Sequence, residues 1–195
     1  MSIPRSYIHP RYEEPRWRFL FCDSDYRLPV FWRDWLSDTG SLTDRLLKAS
    51  SGDLSVQIIR QGLQQPKFSE RQALKLDTRA QAMVREIILV GKGQPWVYAR
   101  SIVPLSTLTG RLRALRQLDN RPLGALLFKD PTMSREPVQV ANMQSQLPLF
   151  DFGQGSCNKP LWGRRSVFRL DKKPLLVSEI FLESFKQYHQ QNNQA

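Results

Sequence analysis

A chain of 195 residues with 41% hydrophobic and 10% aromatic residues is long enough to bury a core and too apolar to be disordered. Its 29 Lys and Arg against 18 Asp and Glu leave a net charge of +11, compatible with nucleic acid, an anionic membrane surface, small anionic substrates or a merely solvated basic surface. Two cysteines (Cys22, Cys157) and two histidines (His9, His189) argue against a disulfide framework, a His-based triad or a His-rich metal site, and no apolar run approaches the ~18 residues of a membrane span.

Residues 1–15 read as a loose leader. Pro4, Pro10, Glu13 and Glu14 make it a poor signal peptide, so a reducing, cytoplasmic location is expected. From Pro29, helical spacing of Val30, Trp32 (or Phe31), Trp35 and Leu36 predicts a first helix, with proline acceptable at its start. After a break at Asp38-Thr39-Gly40, Ser41-Leu42-Thr43-Asp44 resembles a capping box for a second helix to Ala49, and the pair suits a helical hairpin serving as core or lid. Leu54–Gln64 alternates as a strand interrupted at Ile59-Arg60, which predicts partial cover on both faces. The polar 66–77 stretch allows a helical turn from Ser69.

Two β-rich runs, Met83–Val90 and Trp96–Val103, flank a short Gly/Pro loop and predict a hairpin ended by Pro104. Thr107 or Thr109 is the expected cap of a helix whose Leu112, Leu115 and Leu118 recur every three residues. Its Arg111, Arg113 and Arg116 read as a solvated face rather than a phosphate-binding one. A strand around Val138 and Val140 is limited by Pro137, residues 144–160 read as a long surface loop, and Trp162–Leu170 pairs with Leu175–Leu182 in a second hairpin. The Gln/Asn-rich tail, residues 186–195, is expected to fray, and no internal repeat is visible.

Two charges break this pattern. Alternation places Met83, Arg85, Ile87 and Leu89 on one face, so Arg85 is a lone cation in an apolar row. In the last strand Leu175, Val177, Glu179 and Phe181 share a face, and Glu179 is again single. A buried charge is costly unless something meets it. Three arrangements satisfy the pair: an Arg85–Glu179 ion pair, two strand-edge charges in water, or an enclosed pocket with a cation at one end and a carboxyl group at the other. Such a pocket suits a small ring carrying a carboxylate, held by the two-pronged guanidinium, and a hydroxyl, met by the glutamate.

The ordered motifs Met83-Val-Arg-Glu-Ile-Ile-Leu89, Gly93-Gln-Pro-Trp-Val-Tyr-Ala-Arg-Ser-Ile-Val-Pro-Leu-Ser-Thr-Leu108, Pro122-Leu-Gly124, Leu161-Trp-Gly-Arg-Arg-Ser166 and Lys173-Pro-Leu-Leu-Val-Ser-Glu-Ile-Phe-Leu182 resemble those of chorismate pyruvate-lyases, which make 4-hydroxybenzoate for quinone biosynthesis. The resemblance runs from about Trp32 to Leu182. It implies a single α+β domain spanning 1–195, with a largely antiparallel six-stranded sheet and helices packed on it. It also implies a cofactor-free lyase with a solvent-shielded product site, acting on chorismate and releasing pyruvate; no metal, no nucleic acid and no integral membrane segment is expected from the residues, and a monomer is expected. By position, the resemblance has Arg85 bind the ring carboxylate, Leu123 add a backbone contact there, Glu179 meet the ring hydroxyl, and Leu42 stand by the lid where the family often has Met. The leader, the 144–160 loop and the polar tail depart from the family pattern.

Losing the enolpyruvyl ether and one ring proton makes the ring aromatic, which supplies the driving force. Positioning and charge neutralisation by Arg85 and Glu179 then suffice, and a general-base role for Glu179, whose pKa burial can raise, is the further alternative. The pyruvyl carboxylate needs a cation of its own, for which Arg165, Arg164 and Arg100 are candidates by strand position. A pocket complementary to the product predicts product inhibition with lid-gated release. The rival reading is a non-catalytic aromatic-acid-binding domain of the transcription-regulator effector type; those normally follow a winged helix, for which some thirty residues before the first helix pair are too few.

Overall fold

The computed structural model describes residues 14–20, 28–119, 121–143 and 160–192. The leader to residue 13, both cysteines, His9 and nearly all of the predicted 144–160 loop lie outside them.

The sheet is built from hairpins, because turn chemistry permits them where sequence alternation demands them. Strands β1 (Arg18–Phe19), β2 (Leu54–Gln64), β3 (Ala82–Gly91), β4 (Gln94–Pro104), β5 (Ser134–Arg135), β6 (Gln139–Met143), β7 (Leu161–Leu170) and β8 (Lys173–Phe181) pair antiparallel in the order β1-β6-β7-β8-β4-β3-β2, with β5 added to β7. Six strands have five residues or more, and β1 and β5 are two-residue additions. Lys92 and Gly93, both at positive φ, form a two-residue turn joining β3 to β4; Asp171 and Lys172 do the same between β7 and β8. Trp96 lies flat over Gly91, where an added Cβ would fall 2.3 Å from its ring.

Helices pack on both faces of this sheet. One face carries α1 (Val30–Ser37), α2 (Leu42–Ala49), a 3-10 helix (Gly110–Gln117), α4 (Leu123–Leu127) and α5 (Glu183–Asn192); the other receives α3 (Phe68–Leu74). In α1 the buried stripe is Trp32, Trp35 and Leu36, whereas Val30 is 81% exposed, because it projects from the opposite side of the helix. The Ser41 hydroxyl accepts from the Asp44 amide, as the capping-box motif predicts. The three-residue leucine spacing is realised as a 3-10 helix, whose three residues per turn stack Leu112, Leu115 and Leu118 toward the sheet. Thr109 holds the N-cap position as expected, but its side chain makes no cap bond: Thr109 Oγ1 accepts from Lys173, and Thr107 Oγ1 donates to the Pro174 carbonyl.

Two expectations are corrected. Residues 186–192 are helical in α5, because Phe185, Tyr188 and His189 make an aromatic stripe that packs on Trp96, Trp35 and Phe31. β2 is an exposed edge strand with a bulge between Ile58 and Arg60, not a strand covered on both faces.

Apolar clusters occupy the two ends of each sheet face. On the α1/α2 face, one gathers Trp32, Leu36, Leu46, Trp96 and Phe181, and the other Leu112, Leu123, Phe168 and Leu175. On the reverse face, Tyr98, Met143 and Ile180 form one cluster, and Leu74, Val84 and Leu176 the other. Between the clusters the central rows carry charged side chains on both faces. Those rows are where chemistry can occur.

Candidate functional site

Strand register decides which charges share a face. Arg85 pairs across with Ser101, and Ser101 in turn with Val177, which pairs with Ser166. Two residues along, the row reads Ile87, Ala99, Glu179, Arg164 and Val140. Directly opposed residues point to one side of a sheet, so Arg85, Glu179, Arg164 and Ser166 all face the α1/α2 helices. Glu86, Arg100, Ser178 and Arg165 face away, toward α3.

Arg85 is 4% exposed. Its Nη2 donates to the carbonyls of Asp119 (2.5 Å) and Arg121 (3.1 Å), which lie between the 3-10 helix and α4. No carboxylate pairs with it among the described residues, and its buried Nε has no hydrogen-bond partner there. Burial pulls its pKa below the ordinary guanidinium value, with the Asp119 charge opposing. It remains a cation at neutral pH, since guanidinium pKa values begin near 12.5.

Glu179 does not answer that charge. Its Oε2 accepts from Arg164 Nε at 2.7 Å, the ion pair of two cross-strand neighbours. Its side chain is 18% exposed, and Oε1 accepts no hydrogen bond among the described residues. Arg164, 1% exposed, also donates through Nη1 to the carbonyls of Trp35 (2.9 Å) and Asp38 (2.6 Å). This arginine therefore ties Glu179 to the turn between α1 and α2. Strand spacing of about 4.8 Å and a rise of about 3.4 Å per residue put the Arg85 and Glu179 Cα atoms roughly 12 Å apart. Of the three arrangements open from sequence, the ion pair between them is not formed.

Two helical units roof this row. Leu42 is buried in α2, and Leu123 is the buried first residue of α4, where a helix leaves its leading amides without intrahelical acceptors. The units meet where Thr43 Oγ1 lies 3.2 Å from the position of a Cβ on Gly124. The region thus has a cation with unused donors at one end, a carboxyl oxygen with unused lone pairs at the other, and apolar walls on either side. It suits a flat ligand with an anionic group opposite a hydroxyl.

The reverse face holds the remaining predicted arginines. Arg100 makes a two-pronged pair with Glu70 (2.7 and 3.1 Å) and also bonds Glu86, to which the Tyr98 hydroxyl donates at 2.9 Å. Burial works against the Arg100 charge, but the two glutamates outweigh it and raise its pKa above the usual value. Burial and then Glu86 push the Tyr98 phenol up as well. Arg165 donates to Gln139 (2.6 Å) and Ser69 Oγ (3.2 Å) and lies over the Trp17 ring; burial lowers its pKa to about 10. Arg100 and Arg165 are therefore across the sheet from Arg85 and Glu179, because successive residues on a strand alternate faces.

Arg135, on β5, is the charge that sequence reading missed. Its Nε donates to Ser166 Oγ (3.0 Å) and its Nη1 to the Thr39 carbonyl (2.7 Å), which places it beside the Arg164–Glu179 pair. Alternation read back from Val138 and Val140 assigns Arg135 to the wrong face. The register explains why: Arg135 pairs with Phe168 but Gln139 with Arg165, so four residues oppose three and the parity flips across Pro137. That proline was the available signal.

Among the described residues no group of three or more His, Cys, Asp or Glu is placed to hold a metal ion.

The chorismate lyase family model matches residues 20–193. A probable chorismate pyruvate-lyase of Methylococcus capsulatus is 41% identical over 150 residues, covering 76% of this chain and 92% of that protein. One from Pseudomonas putida is 40% identical over 161 residues, covering 82% and 84%. Among solved structures, the C-terminal domain of the histidine utilization repressor from Pseudomonas syringae aligns with a TM-score of 0.54 at 12% identity, covering 67% of this chain and 92% of that one. The effector domain of PhnF from Mycobacterium smegmatis gives 0.52 at 14% identity, covering 74% and 89%. Those two share the fold alone. A family match over nearly the whole chain, with the Arg85 and Glu179 motifs inside it, is of another order: this chain belongs to the chorismate lyase family.

Proposed function

We propose that this chain is a chorismate pyruvate-lyase that converts chorismate to 4-hydroxybenzoate and pyruvate. The observation that carries the reading is Arg85, a buried cation that pairs with no carboxylate among the described residues, on the same face as a Glu179 carboxyl oxygen that accepts no hydrogen bond among them. An isolated charge of this kind is expensive to bury, so a fold that keeps one is prepared for an anion. Arg85 takes the ring carboxylate through Nε and its unused donors, and the Leu123 amide adds a backbone contact. Glu179 Oε1 accepts the ring hydroxyl. Leu42 and its helix close the roof over the ring.

In the elimination, the hydroxyl-bearing ring carbon gives up its proton and the adjacent carbon–oxygen ether bond breaks. The C–H electron pair becomes the third ring double bond, and the departing enolpyruvate takes up a proton to become pyruvate. Aromatisation drives the step. The protein contributes orientation and charge neutralisation in a site shielded from water. The Arg164 bond fixes Glu179 so that its free oxygen meets the hydroxyl without reorganising.

We place the activity in the cytoplasm, in a monomer working without a cofactor, with 4-hydroxybenzoate passing to quinone biosynthesis. In support, no described helix is long and apolar enough to cross a membrane. Incubation of the purified protein with chorismate tests the reading: 4-hydroxybenzoate and pyruvate are expected in equal amounts. Chorismate that binds and is recovered unchanged would instead support a binding domain.

A further inference from the structure

The described part of the site holds more guanidinium than the ring carboxylate requires. Arg85, Arg164 and Arg135 share one side of the sheet with a single half-buried glutamate, Glu179. Arg164 is committed through Nε and Nη1 to Glu179 and to two backbone carbonyls. Arg135 is half-buried, its guanidinium carbon 5.1 Å from the centre of the Phe168 ring, and its Nη2 makes no hydrogen bond among the described residues.

We propose that Arg135 receives the carboxylate of the enolpyruvyl group, with Ser166 orienting its fork. The inference rests on the lyase reading and follows from where substituents sit on the ring. Chorismate carries its second carboxylate on the ether attached next to the hydroxyl carbon. A ring anchored at Arg85 with its hydroxyl on Glu179 therefore projects that group away from Arg85, along the far end of the site. Register puts Ser166 there, three strands from Arg85 in the same row, about 14 Å by strand spacing. Arg135 is held on Ser166 and on the Thr39 carbonyl in the α1–α2 turn.

Electrostatics agree with the placement. Burial first, and then the nearby Arg164 charge, lower the Arg135 pKa to about 10, with Glu179 and Asp38 opposing. Arg135 stays charged at neutral pH, and Arg164 repels it, so an incoming dianion relieves the site.

Kinetics with both ligands separate a clamp from a strut. The product lacks the second carboxylate, so Arg135→Ala and Arg135→Gln should lower kcat/KM for chorismate by about 10- to 100-fold, the range for a lost bond to a charged group. Their Kd for 4-hydroxybenzoate should stay within about threefold of wild type. Arg135→Lys, which keeps the charge and loses the fork, should recover part of the loss. Parallel weakening of both ligands, or kcat/KM within about threefold of wild type, would overturn the assignment. If Ala does not fold, the Lys and Gln pair decides alone. Wild-type protein that makes no 4-hydroxybenzoate would overturn the lyase reading instead, a result these variants do not mimic.

Discussion

Replacing Arg85 with methionine should separate stability from binding. Methionine keeps an unbranched side chain in a row of Met83, Ile87 and Leu89 and removes a buried charge that pairs with no carboxylate among the described residues. The folded protein loses two hydrogen bonds from a charged donor, to the Asp119 and Arg121 carbonyls, worth about 1.5–3 kcal/mol each. Against that, exchanging buried ionic groups for apolar ones of similar volume is commonly neutral or stabilising by about 1–4 kcal/mol. The two effects offset in part and leave a net loss of about 2 kcal/mol, so Arg85→Met should melt within about 8 °C of wild type, at about 2–4 °C per kcal/mol for this chain length. Binding behaves otherwise. A ligand carboxylate left buried and unpaired loses about 2–5 kcal/mol, roughly 30- to several-thousand-fold in Kd. Calorimetric titration with 4-hydroxybenzoate measures the second quantity, and thermal unfolding without ligand the first. A variant that melts more than about 10 °C lower while keeping near-normal affinity would refute the reasoning, because Arg85 would then be a strut between β3 and the segment before α4.

At Glu179, Gln keeps one carbonyl acceptor for Arg164 and turns an amide donor toward the hydroxyl oxygen, whereas Ala strands Arg164 in the interior. Glu179→Gln should therefore retain turnover within about tenfold if the residue only positions the hydroxyl, since general-base catalysis typically contributes about 10²–10⁴-fold; a loss of that size in steady-state kinetics would assign the base role instead. Denaturant unfolding should show Glu179→Ala less stable by about 3–5 kcal/mol, as for any broken buried pair. Gly91→Ala drives a Cβ to 2.3–2.5 Å from Trp96 ring atoms and should cost about 1–3 kcal/mol in the same assay. His189 lies among Phe31, Trp35 and Phe185, and burial holds its pKa below 6.5. The unfolded chain then binds its proton first, so stability should fall as pH drops below about 6.5 in urea titrations, and His189→Phe should flatten that component.

The two charges that organise the site were legible because strand alternation is strict where ladders are regular. Arg85 and Glu179 stand in unbroken runs of β3 and β8, and parity alone puts them on the buried apolar row. Which charges answer them was not legible: Arg164 and Arg165 are adjacent in sequence, and only the register of β7 against β8 sends the first to Glu179 and the second to the reverse face. Arg135 was lost at a bulge, where one extra residue inverts parity. The α5 helix was hidden by its Gln and Asn content, although Phe185, Tyr188 and His189 carry the helical spacing that packs it on Trp96 and α1. Composition described the solvent side of that helix, and periodicity its buried side.

Rapid mixing of the protein with excess chorismate, quenched on the millisecond-to-second scale and assayed for 4-hydroxybenzoate, tests the central claim most directly. A site roofed by two helical units and complementary to its product predicts a burst of about one 4-hydroxybenzoate per chain, then a slower steady rate set by release. Chorismate bound but unconverted, with no 4-hydroxybenzoate at any time, would contradict the account and leave a binding domain.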